Sequence, residues 1–152
     1  MKILLTGGSG LLGQEILKLD STIVSPTHEE MDILDVDSCR QQVKHHRPDI
    51  LLHAAAYTSP PRCDEDPELA MRTNIVGTCN IITACREYGI RLIYISTDYV
   101  FNGKKGDYRP TDPINPINKY AMTKAAGELA TMTYDSSLVI RTSFCENIFP
   151  YD

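Results

Sequence analysis

No apolar run in this 152-residue sequence approaches the ~20 residues that span a bilayer. A basic excess is also missing. Fifteen Lys and Arg stand against 20 Asp and Glu, for a formal net charge of -5. That sign argues against nucleic acid or an anionic membrane as the main partner. No C-x-x-C pair occurs, and the five cysteines (Cys39, Cys63, Cys79, Cys85, Cys145) are odd in number and widely scattered. Neither a disulfide framework nor a zinc site is expected, and reduced thiols in a cytoplasmic protein are the natural reading. The opening MKILLTGGSG turns glycine-rich after a short apolar run, so it reads as a first β-strand rather than a signal peptide. There is no internal repeat, low-complexity tract or domain linker. The expectation is one domain over residues 1–152 with a sizeable core.

What the chain does have is alternation. Short apolar runs at Ile3 to Leu5, Thr22 to Val24, Met31 to Ile33, Ile50 to Ala54, Arg91 to Ser96 and Leu138 to Arg141 read as six strands. Between them lie helical patterns. Leu11 to Leu19 places Leu12, Ile16 and Leu19 on one face. Val36 to His46 is polar and stops before Pro48, with His45 and His46 read as surface residues. Pro67 to Tyr88 is a long helix closed by Gly89, and Lys119 to Thr133 is another. Strands that read as continuous apolar runs belong to a parallel sheet covered on both faces. Right-handed crossovers then favour an α/β, doubly wound Rossmann fold with strand order 3-2-1-4-5-6.

LLTGGSGLLG lies between the first strand and first helix, with Gly7, Gly10 and Gly13 in a G-x-x-G-x-x-G spacing. Gly7 permits the turn out of the strand, Gly10 lets the backbone approach a pyrophosphate at the helix N-terminus, and Gly13 lets the helix lie close to the sheet. In this position the spacing points to a dinucleotide. The end of the second strand, TIVSPTHEE, offers Ser25 and Thr27 but no carboxylate before Glu29 to bond a ribose 2′-OH. That leans toward NADP(H), with NAD(H) as the other candidate. Asp32, followed by Ile33, stands where a third strand brings it to the adenine amino group.

YISTDYVF ends the fifth strand at Ser96, Thr97 and Asp98, where ligands of open α/β sheets bind. On the helix that follows, Tyr120 and Lys124 are one turn apart and share a face. A lysine there lowers the phenol's pKa from its ordinary value near 10 and can hold the nicotinamide ribose. Tyr120 can then give a proton to a carbonyl oxygen as hydride reaches carbon, with Thr97 fixing that oxygen.

With these residues in place the chain resembles the N-terminal, cofactor-binding half of the extended short-chain dehydrogenases/reductases, and within them the dTDP-4-dehydrorhamnose reductase family. The segments that carry the resemblance are ILLTGGSGLLG, MDILD, RPDILLHAAAYT, STDYVFNG, NKYAMTKAAGE and VIRTS. It implies reduction of a nucleotide-linked 4-keto-6-deoxy sugar with NADPH or NADH, and a catalytic triad of Thr97, Tyr120 and Lys124. It sets Gly7, Gly10, Leu11, Leu12, Gly13, Asp32, Ile33, Ala54, Ala55, Ala56, Tyr120 and Lys124 against the cofactor. Thr97, Asp98 and Phe144 fall to the sugar nucleotide, and Asn74 to the asparagine that supports the lysine through water. Departures from the pattern are His53 where an asparagine opens NAAA, read as a strand-end histidine bonded to backbone; SPPRCDED in a substrate-side loop; and Phe144 in place of a tryptophan. Family members can hold Mg²⁺ at a dimer contact near the place of Glu15, but no metal site is assigned here; a homodimer is the implied assembly. Family enzymes are nearly twice this length, so the C-terminal substrate domain is expected to be absent from this chain. A non-catalytic NADP-binding subunit like the β-subunit of methionine adenosyltransferase, and a nucleotide-sugar epimerase or dehydratase, are the alternatives.

Overall fold

In the computed structural model, which describes residues 1–143, four strands lie side by side and parallel. They are β1 (Ile3–Thr6), β2 (Ile50–His53), β3 (Arg91–Thr97) and β4 (Ser137–Thr142), in that order. Their apolar residues make the centre of the molecule, where Leu4, Leu5, Leu51 and Leu92 are fully buried. The register sets Thr6 opposite His53, and His53 opposite Tyr94. Thr6, His53 and Tyr94 therefore lie side by side across the sheet.

Beyond β1, Val24 makes a single parallel bridge to Leu4. The Leu5 N–H donates to Val24 O at 2.8 Å and the Val24 N–H to Ile3 O at 3.1 Å. In the predicted numbering the observed order is 2-1-4-5-6. Two strands of that prediction change. Thr22 to Val24 shrinks to one bridge, ahead of a proline that cannot donate to a ladder. Met31 to Ile33 forms no strand. Its backbone turns, with Asp32 accepting from the Leu34 N–H at 2.8 Å and the Asp35 N–H bonding Asp32 O at 3.1 Å. Met31 and Ile33 are buried all the same.

The helices are α1 (Leu11–Leu19), α2 (Val36–His46), α3 (Pro60–Glu65), α4 (Pro67–Met71), α5 (Thr78–Tyr88) and α6 (Lys119–Thr131). On α1 the inward face is Leu12, Gly13, Ile16 and Leu17; Leu19, expected to share it, is 88% exposed. Asp35 caps α2 by accepting from the Asp37 N–H, a contact worth about 1 kcal/mol. α2, α5 and α6 pack side by side over one face of the sheet, onto Leu92, Tyr94 and Ser96. The opposite face is covered less than a doubly wound sheet predicts. Ile93 and Ile95 are half-buried there, and Leu138 and Ile140, paired with them in register, are exposed.

The predicted helix from Pro67 to Tyr88 is interrupted. Between α4 and α5 the residues Arg72–Gly77 form a π turn. A π turn in a helix is uncommon and marks a local demand. Here the demand is Asn74, only 1% exposed. Its amide oxygen accepts from the Tyr57 N–H at 2.8 Å, and its amide nitrogen donates to Tyr57 O at 3.0 Å and to Thr123 Oγ1 at 2.9 Å. One side chain thereby ties the chain after β2 to α6. Asn74→Ala leaves the half-buried Tyr57 N–H without its partner and is expected to lower stability by about 1–3 kcal/mol, measured as a lower midpoint in urea denaturation.

Candidate active site

A cleft of about 820 Å³ opens at the carboxyl ends of the strands. It contains the glycine loop, Asp32 and Ile33, Ala54 to Ala56, Thr97, Asp98, Tyr120 and Lys124. Thus every predicted cofactor and catalytic residue lines one cavity. A larger cavity of about 980 Å³ lies against β4 and the loop after β3, and includes none of Thr97, Tyr120 or Lys124. Asp98 and Tyr99 border both. Phe144 lies outside the described residues.

The glycine loop is built on close approach. Gly7 has φ +80°, and a Cβ there would come within 2.6 Å of Ala55 N. Glycine is therefore demanded by both backbone and space. Gly10 precedes α1, whose first turn has no side-chain cap. Its free N–H groups and the helix dipole favour an anion at this point. A Cβ on Gly13 would collide with Gly7 O and Gly8 Cα, so this glycine seats the helix on its own entry loop rather than on the sheet. These residues fit the pyrophosphate of a dinucleotide. Asp32 lines the cleft from a turn, not from a strand end, and part of its carboxylate is taken by Leu34.

On the opposite wall, Thr97 ends β3 and Tyr120 stands in the first turn of α6. Asn118 begins that helix by accepting from the Ala121 N–H at 2.7 Å. The Thr97 hydroxyl donates to Asp98 Oδ1 at 3.2 Å and accepts from the Tyr99 N–H at 3.2 Å. Burial raises the pKa of Tyr120, and the neighbouring Thr97 side chain opposes this. The Tyr99 ring stands edge-on to Tyr120 at 6.1 Å. Asp98 is exposed at the rim.

The Lys124 ammonium donates to Ile95 O at 2.7 Å and sits 4.1 Å from the centre of the Tyr94 ring. The lysine shares the cleft and helix face with Tyr120. Burial brings Lys124 down to about 7, partly opposed by Glu128. Asn74 bonds Tyr57 and Thr123 directly.

His53 is bonded to side chains and not, as expected, to backbone. It is fully buried. Its Nδ1 lies 2.7 Å from Thr6 Oγ1 and its Nε2 lies 3.2 Å from Thr78 Oγ1. Thr78 already donates to Asn74 O at 2.8 Å, so it accepts from Nε2–H; Nδ1 then accepts from Thr6. The Thr6 oxygen in turn accepts from the Ala55 N–H at 3.3 Å. Burial, and then the charge of Lys124, hold the imidazole down to about 3, so it is neutral at ordinary pH.

Glu15 forms an exposed pair with Lys18 at 2.6 Å. Among the described residues, no group of three or more His, Cys, Asp and Glu side chains is placed to hold a metal, and no helix is long and apolar enough to cross a membrane. Sequence reasoning missed Tyr94, Glu128 and Arg141. The alternation in RLIYIST, which puts Leu92, Tyr94 and Ser96 on one face, and the turn spacing from Lys124 to Glu128 were the available signals.

A family profile described as RmlD substrate binding domain matches residues 1–145. The chain belongs to that family. Among its curated relatives are a dTDP-4-dehydrorhamnose reductase of Streptomyces griseus, 36% identical over 93% of this chain and 49% of the relative, and the methionine adenosyltransferase 2 subunit beta of Xenopus tropicalis, 31% identical over 86% and 42%. A solved dTDP-4-dehydrorhamnose reductase of Bacillus anthracis in complex with NADP superposes with a TM-score of 0.84, at 32% identity, over 93% of this chain and 53% of that one. This RmlD-family chain spans about half the length of such relatives.

The neutral, buried His53 has a consequence for acid stability. Its folded pKa lies below the unfolded value near 6.5. Between those values the unfolded chain binds the proton and the folded one does not, so stability falls as pH drops from about 6.5 toward 3. Urea denaturation across that window is expected to show the slope, and a His53→Asn variant to flatten it.

Proposed function

We propose that this chain is the cofactor-binding portion of an NADP(H)-dependent reductase acting on a nucleotide-linked 4-keto-6-deoxy sugar, of the dTDP-4-dehydrorhamnose reductase type that supplies dTDP-L-rhamnose. The observation that carries this reading is that Thr97, Tyr120 and Lys124 line the same cleft as the glycine loop. The names of its reductase relatives and the NADP complex of one of them support it. A bound nicotinamide cofactor supplies hydride to the sugar's C4. The chain's residues do the rest. Gly7, Gly10, Leu11, Leu12 and Gly13 receive the pyrophosphate, Asp32 and Ile33 the adenine end, and Ala54 to Ala56 the cofactor's flank. Thr97 orients the ketone oxygen, Tyr120 delivers the proton to it, and Lys124 holds the ribose hydroxyls. Asp98 contacts the sugar from the rim.

Tyr120 has a raised pKa before any ligand enters, so it begins as the protonated acid that carbonyl reduction needs. Regenerating it requires a proton from solvent after each turnover. The substrate-presenting half of such an enzyme lies beyond this chain in our reading. A homodimer and a cytoplasmic location go with the same reading; light scattering of the purified protein tests the first.

A second reading is a non-catalytic NADP-binding regulatory subunit, favoured by the similarity to methionine adenosyltransferase 2 subunit beta. One experiment separates the two. NADPH and a dTDP-4-keto-6-deoxy sugar are added to the longest form of the protein, and nicotinamide absorbance is followed. Oxidation supports the reductase; NADPH binding without oxidation supports the regulatory subunit. In the active form, Tyr120→Phe is expected to lower turnover about 10²–10⁴-fold with the NADPH dissociation constant nearly unchanged.

A further inference from the structure

Which ribose the cleft accepts is decided at the turn after Pro26. Val24 bridges Leu4, and Ser25 then lies against the glycine loop. Its hydroxyl donates to Leu5 O at 3.1 Å, and a Cβ on Gly8 would collide with it. A closed turn follows. The Thr27 N–H donates to Glu30 Oε2 at 2.8 Å, the Glu30 N–H to Thr27 Oγ1 at 3.3 Å, and the Met31 N–H to Thr27 O at 2.9 Å. Gln42 of α2 fastens the turn by donating to Glu30 O at 2.9 Å, and the buried Met31 anchors it in the core. Thr27 and His28 line the cleft, and Glu29 and Glu30 do not.

In a dinucleotide cleft of this kind, the side chain about 20 residues beyond the glycine turn meets the adenosine ribose. Thr27 follows Gly7 at that distance. An acid there accepts from the 2′-OH of NAD(H) and repels the 2′-phosphate of NADP(H). Here the carboxylate of Glu30 is folded back onto the Thr27 N–H. The Asp32 carboxylate, which lines the same end of the cleft, accepts from the Leu34 N–H at 2.8 Å. What the turn itself offers the cleft is donors. The Thr27 oxygen accepts from the Glu30 N–H, which leaves the hydroxyl proton to donate. His28 carries an imidazole N–H in either tautomer. A phosphate, with several charged acceptor oxygens, gains more from such donors than a hydroxyl does.

We propose that Thr27 and His28 select NADP(H) over NAD(H) by donating to the 2′-phosphate, and that Glu30 is a positioning residue that closes the turn presenting them. The assignment rests on the NADP(H) part of the proposed function and is independent of which sugar is reduced. It replaces the guanidinium that often holds this phosphate with a hydroxyl and an imidazole. Glu30 then acts twice: its carboxylate shapes the turn, and by being spent on the Thr27 N–H it is kept from competing for the ribose.

Binding to the full chain tests this without any turnover. Fluorescence titration compares NADPH with NADH, and calorimetry compares adenosine 2′,5′-bisphosphate with AMP, which isolates the adenosine end. The wild-type chain is expected to bind the 2′-phosphorylated member of each pair more tightly. Thr27→Val and His28→Ala are each expected to weaken NADPH and the bisphosphate about tenfold, the loss of one hydrogen bond to a charged group, with NADH and AMP changed by less than about twofold. His28→Gln, which keeps an N–H donor, restores part of the loss. Glu30→Ala lowers the preference in the same direction, and Glu30→Gln, whose amide oxygen still accepts from the Thr27 N–H, retains it. Equal wild-type affinity within either pair overturns the proposal. So do variants that weaken both members alike, which is what a purely structural turn would give. A chain that binds none of the four ligands overturns it together with the dinucleotide reading. A chain that keeps the preference, yet in its longest form never oxidises NADPH with the sugar, upholds the selection and counts against the reductase.

Discussion

A line of hydrogen bonds through the interior decides how the pieces of this domain meet. It runs from the Ala55 N–H through Thr6, His53 and Thr78 to the carbonyl of Asn74. The Asn74 side chain continues it to Tyr57 and to Thr123, whose hydroxyl donates to Tyr120 O at 2.8 Å. Nearly every group on this path is buried. Each therefore needs its partner, because a stranded buried donor or acceptor costs about 1–3 kcal/mol. The register of β1 on β2, the π turn and the seat of α6 are consequently a single requirement. Gly127 belongs to it too: a Cβ there would come within 2.6 Å of Asn74 O and 2.7 Å of the Tyr94 hydroxyl.

Around that neutral path the charges are few and well separated in role. The mouth of α1 offers bare N–H groups to an anion. Lys124 lies beneath, over an aromatic face that partly compensates for lost water. An anionic cofactor thus meets positive potential from both ends of the cleft, from a backbone dipole and from a side chain poised near neutrality. The surface pairs contribute little by comparison. Lys18 with Glu15 is well exposed, and such contacts are worth at most about 1 kcal/mol.

Much of this was legible in the sequence because it rests on short-range rules. The glycine spacing, the apolar strands and the Tyr120–Lys124 turn each follow from local geometry, and the cleft collects them as expected. What escaped were features that depend on partners far along the chain. The β-branched and apolar residues at Met31 to Ile33 resemble a strand, but Asp32 offers the backbone a competing turn. The helical pattern from Pro67 to Tyr88 is real, yet the bonds from Asn74 to Tyr57 and Thr123 break its regularity. His53 gave no sign of being held by two threonines, 47 and 25 residues away. The behaviour of Lys124 could not be read from spacing to Tyr120, because it is set by burial and by Tyr94, Ile95 and Glu128.

The π turn also acts as a phase shifter. An α-helix advances about 100° per residue, so the residue accommodated by a π turn rotates everything after it by about that amount. Ile81, Ile82, Ala84 and Cys85 face the core from α5 in the rotated phase. Removing one residue between Arg72 and Gly77 would restore a regular helix and swing that apolar set away from the sheet. Length is thus fixed at this point of the chain by angular bookkeeping.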